Sequence, residues 1–282
     1  MAMHRFFRQW LLACFLVVAA AACAGAQTAA GTKEFEPIVG QAGKDVIWVP
    51  TPQALADKML NLAQVTPQDY VIDLGSGDGR IVISAAKRGA RAHGIEYNPD
   101  MVALSKRNAT REGVSEKATF EKADLFESDF SPATVLTMFL LPEINLRLRP
   151  TILNLKPGTR VVSNSFDMGD WSADKTVEVT KEEGCDSYYC TAFFWIVPAK
   201  VEGRWKLSQG ELALKQTYQM ISGELNTGTS LISISDARLS GDRISFKIGD
   251  ALYTVRVAGG TMEGTVTAGS NSSNWSANWL AK

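Results

Sequence analysis

The sequence has little histidine, and it carries no large excess of charge of either sign. Two histidines, His4 and His93, occur among 282 residues, and His4 lies in the apolar N-terminal segment. A Ser-His-Asp hydrolase, a histidine-based metal site and a histidine general base are therefore disfavoured. The formal net charge is −1, so no strong field attracts nucleic acid or an anionic membrane surface. We expect no nucleic-acid partner.

The N-terminal segment, residues 1–26, has the pattern of a cleaved signal peptide. His4, Arg5 and Arg8 precede an apolar run from Leu11 to Ala22, which is short for a membrane span, and small residues suited to cleavage follow it. We therefore expect export to the periplasm or envelope. A lipoprotein and an uncleaved anchor, which would associate the protein with the membrane, are the alternatives. Without this segment, 27 basic and 30 acidic residues remain.

Cysteine is also scarce, and its four positions fall into two pairs. Cys14 and Cys23 lie in the N-terminal segment, whereas Cys185 and Cys190 are five residues apart around an expected turn. In an oxidising compartment the second pair can form a disulfide. The spacing is equally compatible with two free or buried thiols.

What remains of the chain divides by composition into three parts. Residues 27–44 are polar and contain glycine, as in a linker or arm. Residues 45–199 alternate between apolar strands and amphipathic helices, which predicts an α/β domain with a Rossmann-like sheet. Residues 200–282 hold seven short β-prone runs separated by Gly, Asn, Asp and Ser, without a convincing helix. They predict a small antiparallel barrel or sandwich.

The end of the α/β part departs from a parallel pattern. The fifth strand should end near Phe166, and only about seven residues precede the next β-prone run, too few for a crossover helix. We therefore expect a seven-stranded sheet that ends in an antiparallel hairpin. Pro52 and Pro142 should each begin a helix, with Thr51 capping the first, and Pro150 should kink or break the second.

The most informative stretch, residues 71–80, reads VIDLGSGDGR. A β-prone run is followed by Asp73, and Gly75, Gly77 and Gly79 then form a turn before an apolar helical segment. Dinucleotide-binding turns read G-x-G-x-x-G and hold a pyrophosphate. Here the spacing is G-x-G-x-G, and the preceding acid would repel a pyrophosphate but suits an ammonium and a sulfonium. The pattern resembles motif I of the class I S-adenosylmethionine (SAM)-dependent methyltransferases.

Two later acids extend this resemblance. Glu96 and Asp124 end the second and third predicted strands, and ligands of open parallel sheets bind beyond such strand ends. The resemblance implies that Asp73 lies near the methionine part of SAM and that the turn, including Ser76, approaches SAM through its backbone. Glu96 would accept the ribose hydroxyls, and Asp124 with Leu125 would hold the adenine. The runner-up is a nicotinamide-binding Rossmann domain.

Further motifs in the same order widen the resemblance to about residues 45–199. They are WVPTP at 48–52, DLGSGDGRIV at 73–82, GIE at 94–96 followed by Asn98-Pro99, DLF at 124–126, and the apolar run 135–141 followed by Pro142-Glu143. Together they resemble leader-bearing bacterial class I methyltransferases and, more distantly, the lysine methyltransferases that modify a membrane component of ATP synthase. This resemblance implies methylation of a lysine or another amine.

The side that meets the methyl acceptor is less well defined. Pro50 and Thr51 should lie at the mouth of the cofactor site. Thr137 and Pro142 bracket the end of the fourth strand, where class I enzymes place residues that face the acceptor. The Asn/Asp-Pro-Pro-Tyr motif of DNA amino-group methylation is absent there, and the sequence reads FLLPE at 139–143.

Three acids are candidates to deprotonate or orient an amine, namely Glu143, Asp167 and Asp170. Each is at least as well explained as a surface acid in a loop. The chemistry would be in-line transfer of a sulfonium methyl group, with most of the rate gain from positioning and desolvation. It requires no metal.

Two hypotheses follow for function. In the first, the protein is an exported SAM-dependent methyltransferase that acts on a protein side chain, such as lysine, or on a small-molecule nucleophile. In the second, it is an exported SAM- or nucleoside-binding module without catalysis, and its β-domain engages an envelope partner. The export signal favours the second, because SAM is made in the cytoplasm.

Overall fold

Two β-sheets organise residues 34–281, the part of the chain that this computed structural model describes. The predicted signal peptide, residues 1–26, lies outside the described residues, as does the first part of the expected linker. From Pro37 onward the chain packs as one compact unit. No helix within residues 34–281 has the length and apolar character needed to cross a membrane.

The first sheet carries all the helices of the described residues. The helices are α1 (Gln53–Leu62), α2 (Arg80–Lys87), α3 (Pro99–Arg111) and α4 (Pro142–Ile152). The strands are β1 (Tyr70–Leu74), β2 (Arg91–Glu96), β3 (Ala118–Lys122), β4 (Val135–Met138), β5 (Arg160–Asn164), β6 (Lys175–Glu178) and β7 (Thr191–Ile196).

The strand order of this sheet is β3-β2-β1-β4-β5-β7-β6. The first five strands in that order are parallel, and β7 is antiparallel to both of its neighbours. The prediction of a Rossmann-like sheet of seven strands with an antiparallel terminal hairpin is confirmed.

Both faces of the first sheet are covered, which explains the nearly continuous apolar runs of its central strands. Successive strand residues point to opposite faces. Val71 of β1 therefore packs with residues of α1 and α2, whereas Ile72 and Leu74 pack with residues of α4. This layering leaves the carboxyl ends of the central strands as the open edge.

Two local predictions about the helices are wrong. Thr51 does not cap α1: Pro52 occupies the N-cap position without a side-chain hydrogen bond, and the Thr51 hydroxyl instead accepts a hydrogen bond from Asn164 (3.2 Å). Pro150 does not break α4, which continues to Ile152. Because Pro150 stands in the last turn, it removes only one backbone donor close to the end of the helix.

The second sheet is antiparallel throughout. Its strands are β8 (Gly203–Leu207), β9 (Gly210–Thr217), β10 (Met220–Asn226), β11 (Leu231–Ser233), β12 (Ser235–Ser240), β13 (Arg243–Ile248), β14 (Ala251–Ala258), β15 (Thr261–Ala268) and β16 (Asn271–Ala281). Their order is β11-β10-β9-β8-β16-β15-β14-β13-β12. Near the two ends of this order β10 and β12 contact each other, so the sheet curls around a core that includes Trp205, Phe246 and Trp275.

Nine strands within the described residues replace the seven that the sequence suggested. The run 211–221 is divided by a turn at Tyr218 and Gln219, and the polar strand Ser235–Ser240 has no β-prone pattern. Trp195, Trp205 and Trp275 are buried as expected for core residues, whereas Trp279 is 46% exposed.

The β9–β10 turn also joins the two sheets. Gln219 accepts a hydrogen bond from the buried indole of Trp171 (2.9 Å) and donates one to the Ser172 carbonyl (2.7 Å). Tyr218 donates to Asp170 (3.0 Å), which also pairs with Arg149. Asp170, a candidate for amine chemistry in the sequence, is therefore engaged at this junction.

The two late cysteines are paired. Cys185 and Cys190 form a disulfide that closes the loop between β6 and β7. Of the two alternatives that the spacing allowed, the structure has the bonded one.

Candidate functional site

A pocket opens at the carboxyl ends of β1, β2 and β4, on either side of the point where the strand order reverses between β1 and β4. One wall consists of the ends of these strands and the glycine turn. The opposite wall consists of residues 41–51, which we call the strap. The pocket therefore lies where the predicted cofactor residues converge.

The glycine turn presents its backbone to the pocket. Gly75, Gly77 and Gly79 have φ values of +75°, +54° and +82°, which side chains rarely adopt. A Cβ atom on Gly77 would lie 2.8 Å from the indole nitrogen of Trp48 in the strap. The turn therefore requires glycine both for its conformation and for the close approach of the strap.

Asp73 is the most deeply placed acid of the pocket. Its side chain is nearly inaccessible, with the residue 3% exposed, and it accepts a hydrogen bond from the Thr137 hydroxyl (2.7 Å). Burial raises the pKa of Asp73 to about 7, and the nearby charges of Glu96 and Asp78 raise it further, against the lowering effect of Thr137. An uncompensated buried carboxyl of this kind favours a cationic ligand.

Glu96 is held in one orientation at the end of β2. One carboxylate oxygen accepts the Gly77 amide (3.0 Å) and the other accepts the Asn98 amide (2.8 Å). Each oxygen keeps a further lone pair for a ligand. Its predicted role toward a ribose stays a prediction, and the geometry leaves room for it.

Asp124 lies two residues after β3 and is engaged by the strap. One of its oxygens accepts the Phe126 amide (3.0 Å), and the other pairs with the Lys44 ammonium. The hydrogen bond from Lys44 lowers the pKa of Asp124, and the same bond raises the pKa of Lys44. Leu125 lies beside Asp124 in the pocket wall.

The strap is the main feature that the sequence did not indicate, because residues 27–44 resembled a linker. Its fold depends on backbone bonds between Trp48 and Gln41 (2.9 Å) and between Gly43 and Val46 (2.9 Å). Arg80 ties its end to the glycine turn, since the guanidinium donates to the Thr51 carbonyl (2.6 Å) and pairs with Asp78. The one signal in the sequence was the motif WVPTP.

The predicted acceptor-side residues fall in different places. Pro50 and Thr51 line the pocket. Thr137 does not face it: the residue is fully buried, and its hydroxyl serves Asp73. Pro142 is exposed at the start of α4 and is absent from the pocket wall.

The two predicted catalytic acids also lie away from the pocket. Glu143 is exposed in the first turn of α4. Asp167 is exposed in the loop after β5, where its carboxylate accepts the Gly169 amide (3.0 Å). Neither lines the pocket, so both behave as the surface acids that the sequence also allowed.

A second pocket adjoins the first and has aromatic walls. It shares Phe139 and Leu140 with the cofactor pocket and adds Leu141, Phe166 and Tyr189. We call it the aromatic pocket. Phe166 and Tyr189 carried no motif, because the loops that hold them lie outside the strand ends by which the sequence marks a site.

Comparison with known proteins identifies the family. A family model described as the ANTKMT methyltransferase domain matches residues 73–175. A protein-lysine N-methyltransferase of Saccharolobus islandicus is 43% identical over 137 residues, which cover 48% of this chain and 85% of that protein. The chain belongs to the class I SAM-dependent methyltransferases. It is thus an enzyme of that class, and SAM is its cofactor.

Other relatives of this methyltransferase share a smaller part of their length with it. A lysine N-methyltransferase of Rattus norvegicus that is named for ATP synthase is 38% identical over 120 residues, covering 42% of this chain and 54% of the relative. A crystal structure of an RNA methyltransferase from Salinibacter ruber with S-adenosyl-L-homocysteine is 47% identical, with a TM-score of 0.50. It covers 54% of this chain and 96% of that one.

The pocket of this methyltransferase fits SAM on its own chemistry. SAM carries positive charge and no phosphate, and the pocket offers acids rather than the anion-binding turn of a dinucleotide site. The Ser76 hydroxyl in the turn is buried without a protein partner among the described residues. Asp73, Glu96, Asp124 and the glycine turn are the residues that would hold SAM.

Proposed function

We propose that the protein transfers a methyl group from SAM to a lysine side chain of another protein. The observation that carries the proposal is the aromatic pocket, which opens from the cofactor pocket at the end of β4. Its apolar walls suit the long aliphatic stem of a lysine. The relatives support the same acceptor, since they include protein-lysine, ATP synthase lysine and adenine nucleotide translocase lysine methyltransferases.

The charge around the cofactor pocket also favours a cationic acceptor. Carboxylates outnumber basic groups in its wall: Asp45, Asp73, Asp78, Glu96 and Asp124 stand against Lys44 and Arg80. Such a balance attracts an approaching lysine and repels a phosphate backbone. An acceptor presented on an acidic or neutral polymer would therefore be disfavoured relative to a basic segment of protein.

The residues of the chain contribute by holding and enclosing the reactants. SAM, when bound, supplies an electrophilic methyl group. Asp73, Glu96 and the glycine turn would fix its position, and the strap would exclude water, so that positioning supplies most of the rate gain. The acceptor nitrogen must be uncharged to use its lone pair, so the rate should rise with pH until the amine has lost its proton.

The proposal is tested by label transfer from methyl-labelled SAM. The full-length and leader-free proteins are incubated with envelope proteins, cytoplasmic proteins and total RNA, and the labelled products are hydrolysed and identified. Labelled methyl-lysine is the expected result, and Asp73→Ala should abolish it. Normal SAM binding without any label transfer would instead favour the non-catalytic binding module.

RNA is the second candidate acceptor. It is favoured by the Salinibacter ruber relative, whose structure is described as that of an RNA methyltransferase. Aromatic rings beside a SAM site can also stack an unpaired base. Label found in nucleotides and not in protein would establish this candidate over lysine.

We further propose that the protein acts outside the cytoplasm, with residues 1–26 as a cleaved signal peptide. The Cys185–Cys190 disulfide supports this, because disulfides persist in oxidising compartments. Cell fractionation, followed by mass measurement with and without thiol alkylation, tests the proposal. We expect a leader-free protein in the envelope fraction with both cysteines protected. An intact N-terminus in the cytoplasm, with alkylated cysteines, would refute it.

A further inference from the structure

We propose that Phe139, Phe166 and Tyr189 form an aromatic cage that binds the ammonium group of the acceptor side chain, and binds it more tightly as it gains methyl groups. The inference rests on the proposed lysine acceptor and names the residues that select it. None of the three was indicated as a site residue by the sequence. Together they form the aromatic part of the pocket beside the cofactor.

The three rings lie at the distances that a single cation requires. Their centroids are 6.1 Å apart for Phe139 and Phe166, 5.2 Å for Phe139 and Tyr189, and 6.0 Å for Phe166 and Tyr189. One cation can therefore lie within about 6 Å of all three centroids, the range of cation–π attraction. Each residue is only partly buried, so the cluster is open to a ligand.

Phe166 is held by a constrained loop. The buried amide of Asn145 in α4 donates to the carbonyls of Phe166 (3.2 Å) and Asp167 (3.1 Å). Ser165 before it has a φ of +58°, an uncommon conformation for a residue with a side chain. Strain of this kind is concentrated at functional sites. Asn145 is thus a positioning residue for this wall of the cage.

The other two rings are fixed by different elements. Phe139 directly follows β4, whose position is set by pairing with β1 and β5. Tyr189 precedes Cys190, so the disulfide with Cys185 restrains the loop that carries it. Three separate elements thus converge on one ligand-sized volume, which is a built arrangement rather than a packing accident of one loop.

The chemistry of the rings sets the order of ligands. Aromatic faces attract cations, and a methylated ammonium gives up less hydration than a primary one when it leaves water. Affinity should therefore rise from unmodified lysine to trimethyl-lysine. Such a cage would keep a partly methylated side chain beside the cofactor pocket, with which it shares Phe139, and would favour addition of more than one methyl group.

The test compares two probes of the same shape. One is Nα-acetyl-Nε-trimethyl-lysine amide, and the other is its neutral analogue with carbon in place of the quaternary nitrogen. Binding is measured by NMR titration of the leader-free protein saturated with S-adenosyl-L-homocysteine. We expect the cation to bind roughly tenfold more tightly than the neutral analogue.

Variants assign this preference to the cage. Tyr189→Leu and Phe166→Leu should remove most of the preference for the cation, whereas Tyr189→Phe should keep it, because the ring rather than the hydroxyl acts. Tyr188→Leu is the matched control, since the neighbouring Tyr188 is fully exposed. Unchanged affinity for S-adenosyl-L-homocysteine in every variant shows that the fold persists.

The outcomes separate the cage from the proposed function. Equal binding of both probes by the wild type, or an undiminished preference in the two leucine variants, overturns the cage. Label transfer into RNA instead of lysine overturns the proposed acceptor, but a cation preference lost in the leucine variants still supports a cage. Measurement of binding apart from turnover is what makes the two failures distinguishable.

Discussion

At the scale of single residues, Gly77 shows how closely the strap approaches the glycine turn. Gly77→Val would place a branched side chain at a φ of +54° and against the indole of Trp48, where a Cβ already lies 2.8 Å away. We expect SAM affinity to fall by at least about a hundredfold, measured by titration calorimetry, because both the turn and the wall must shift.

Gly113→Val is the matched control for Gly77→Val. Gly113 also has a positive φ, +69°, but a Cβ there would meet nothing within 4 Å. It should lose stability through backbone strain of about 1–2 kcal/mol and keep its affinity for SAM. A similar loss of affinity in both variants would mean that general strain, not the pocket, explains the effect.

Asp73 should make the protein sensitive to pH near neutrality. Its folded-state pKa of about 7, raised first by burial, exceeds the value of ~3.9 for an unfolded chain. Between these values the folded protein holds the extra proton, so the stability of the ligand-free protein falls as pH rises. SAM favours the carboxylate, so binding below pH 7 should release a proton, and SAM affinity should rise with pH.

The measurement is calorimetry from pH 5.5 to 8.5 in buffers of different ionisation enthalpy. In the wild type, SAM affinity should rise with pH by up to roughly tenfold per unit below pH 7. Asp73→Asn should bind more weakly and lose most of this dependence, and the dependence that remains belongs to SAM itself. Identical pH profiles for the two proteins would show that Asp73 does not titrate on binding.

Which site residues the sequence reveals depends on how local their signals are. Asp73, Glu96 and Asp124 were found because each stands at or just after a strand end, and parallel strands bring their ends together. The partner of Asp124 was not found, because Lys44 is 80 residues away in the chain. Thr137 was assigned to the acceptor side because its strand position is visible in sequence and its burial is not.

At the scale of elements, the disulfide loop should control the acceptor side and not the cofactor side. The double variant Cys185→Ser and Cys190→Ser frees the loop that carries Tyr189. We expect the trimethyl-lysine probe to bind several-fold more weakly, because ordering the ring then costs more conformational entropy. Affinity for S-adenosyl-L-homocysteine should be unchanged, measured in the same titrations.

Reduction of the wild type with dithiothreitol provides the comparison for the double variant. It should weaken the probe to the same extent, and it should have no further effect on the variant. Undiminished probe binding after both treatments would show that the loop is held by its other contacts, such as the bond between Val179 and the Cys190 carbonyl (2.9 Å).

The strap should report cofactor binding through Trp48. The chain has seven tryptophans, and among the described residues that line the cofactor pocket Trp48 is the one tryptophan. SAM should therefore change the fluorescence mainly through Trp48. Trp48→Phe should remove most of that change while SAM affinity, measured by calorimetry, falls by less than about tenfold because an aromatic wall remains. An unaltered fluorescence change would place the strap away from the cofactor.

Element prediction succeeded where local pattern and tertiary packing agree. The parallel strands are apolar because both of their faces are buried, so they were recognised. The β9–β10 turn was missed because Tyr218 and Gln219 are not common turn residues. Tyr218 takes a φ of +55° there, and both side chains bond across to the loop at 170–172. Long-range contacts of this kind leave no trace in a local window.

At the scale of the whole molecule, the β-barrel and the methyltransferase sheet are joined by side chains that leave little polar surface unpaired. Trp171 and Trp195 pack together at 5.9 Å between ring centroids. The Trp195 indole donates to the Trp171 carbonyl (2.8 Å), and the Trp171 indole donates to Gln219. The loop after β5, which also carries Phe166, is thus braced from the barrel side.

Gln219→Ala should therefore weaken both sheets rather than the barrel alone. It leaves the indole nitrogen of Trp171 without its acceptor and the Ser172 carbonyl without its donor. We expect the free energy of unfolding to fall by about 1–3 kcal/mol, measured by urea denaturation with the signals of both sheets. Gln68→Ala, in the exposed turn before β1, is the matched control and should change stability by less than about 0.5 kcal/mol. If Gln219→Ala left the methyltransferase sheet as stable as before and shifted only the barrel, the junction would not couple them. A shared shift would mean that the barrel stabilises the loop behind the aromatic pocket, and so the acceptor side of the enzyme.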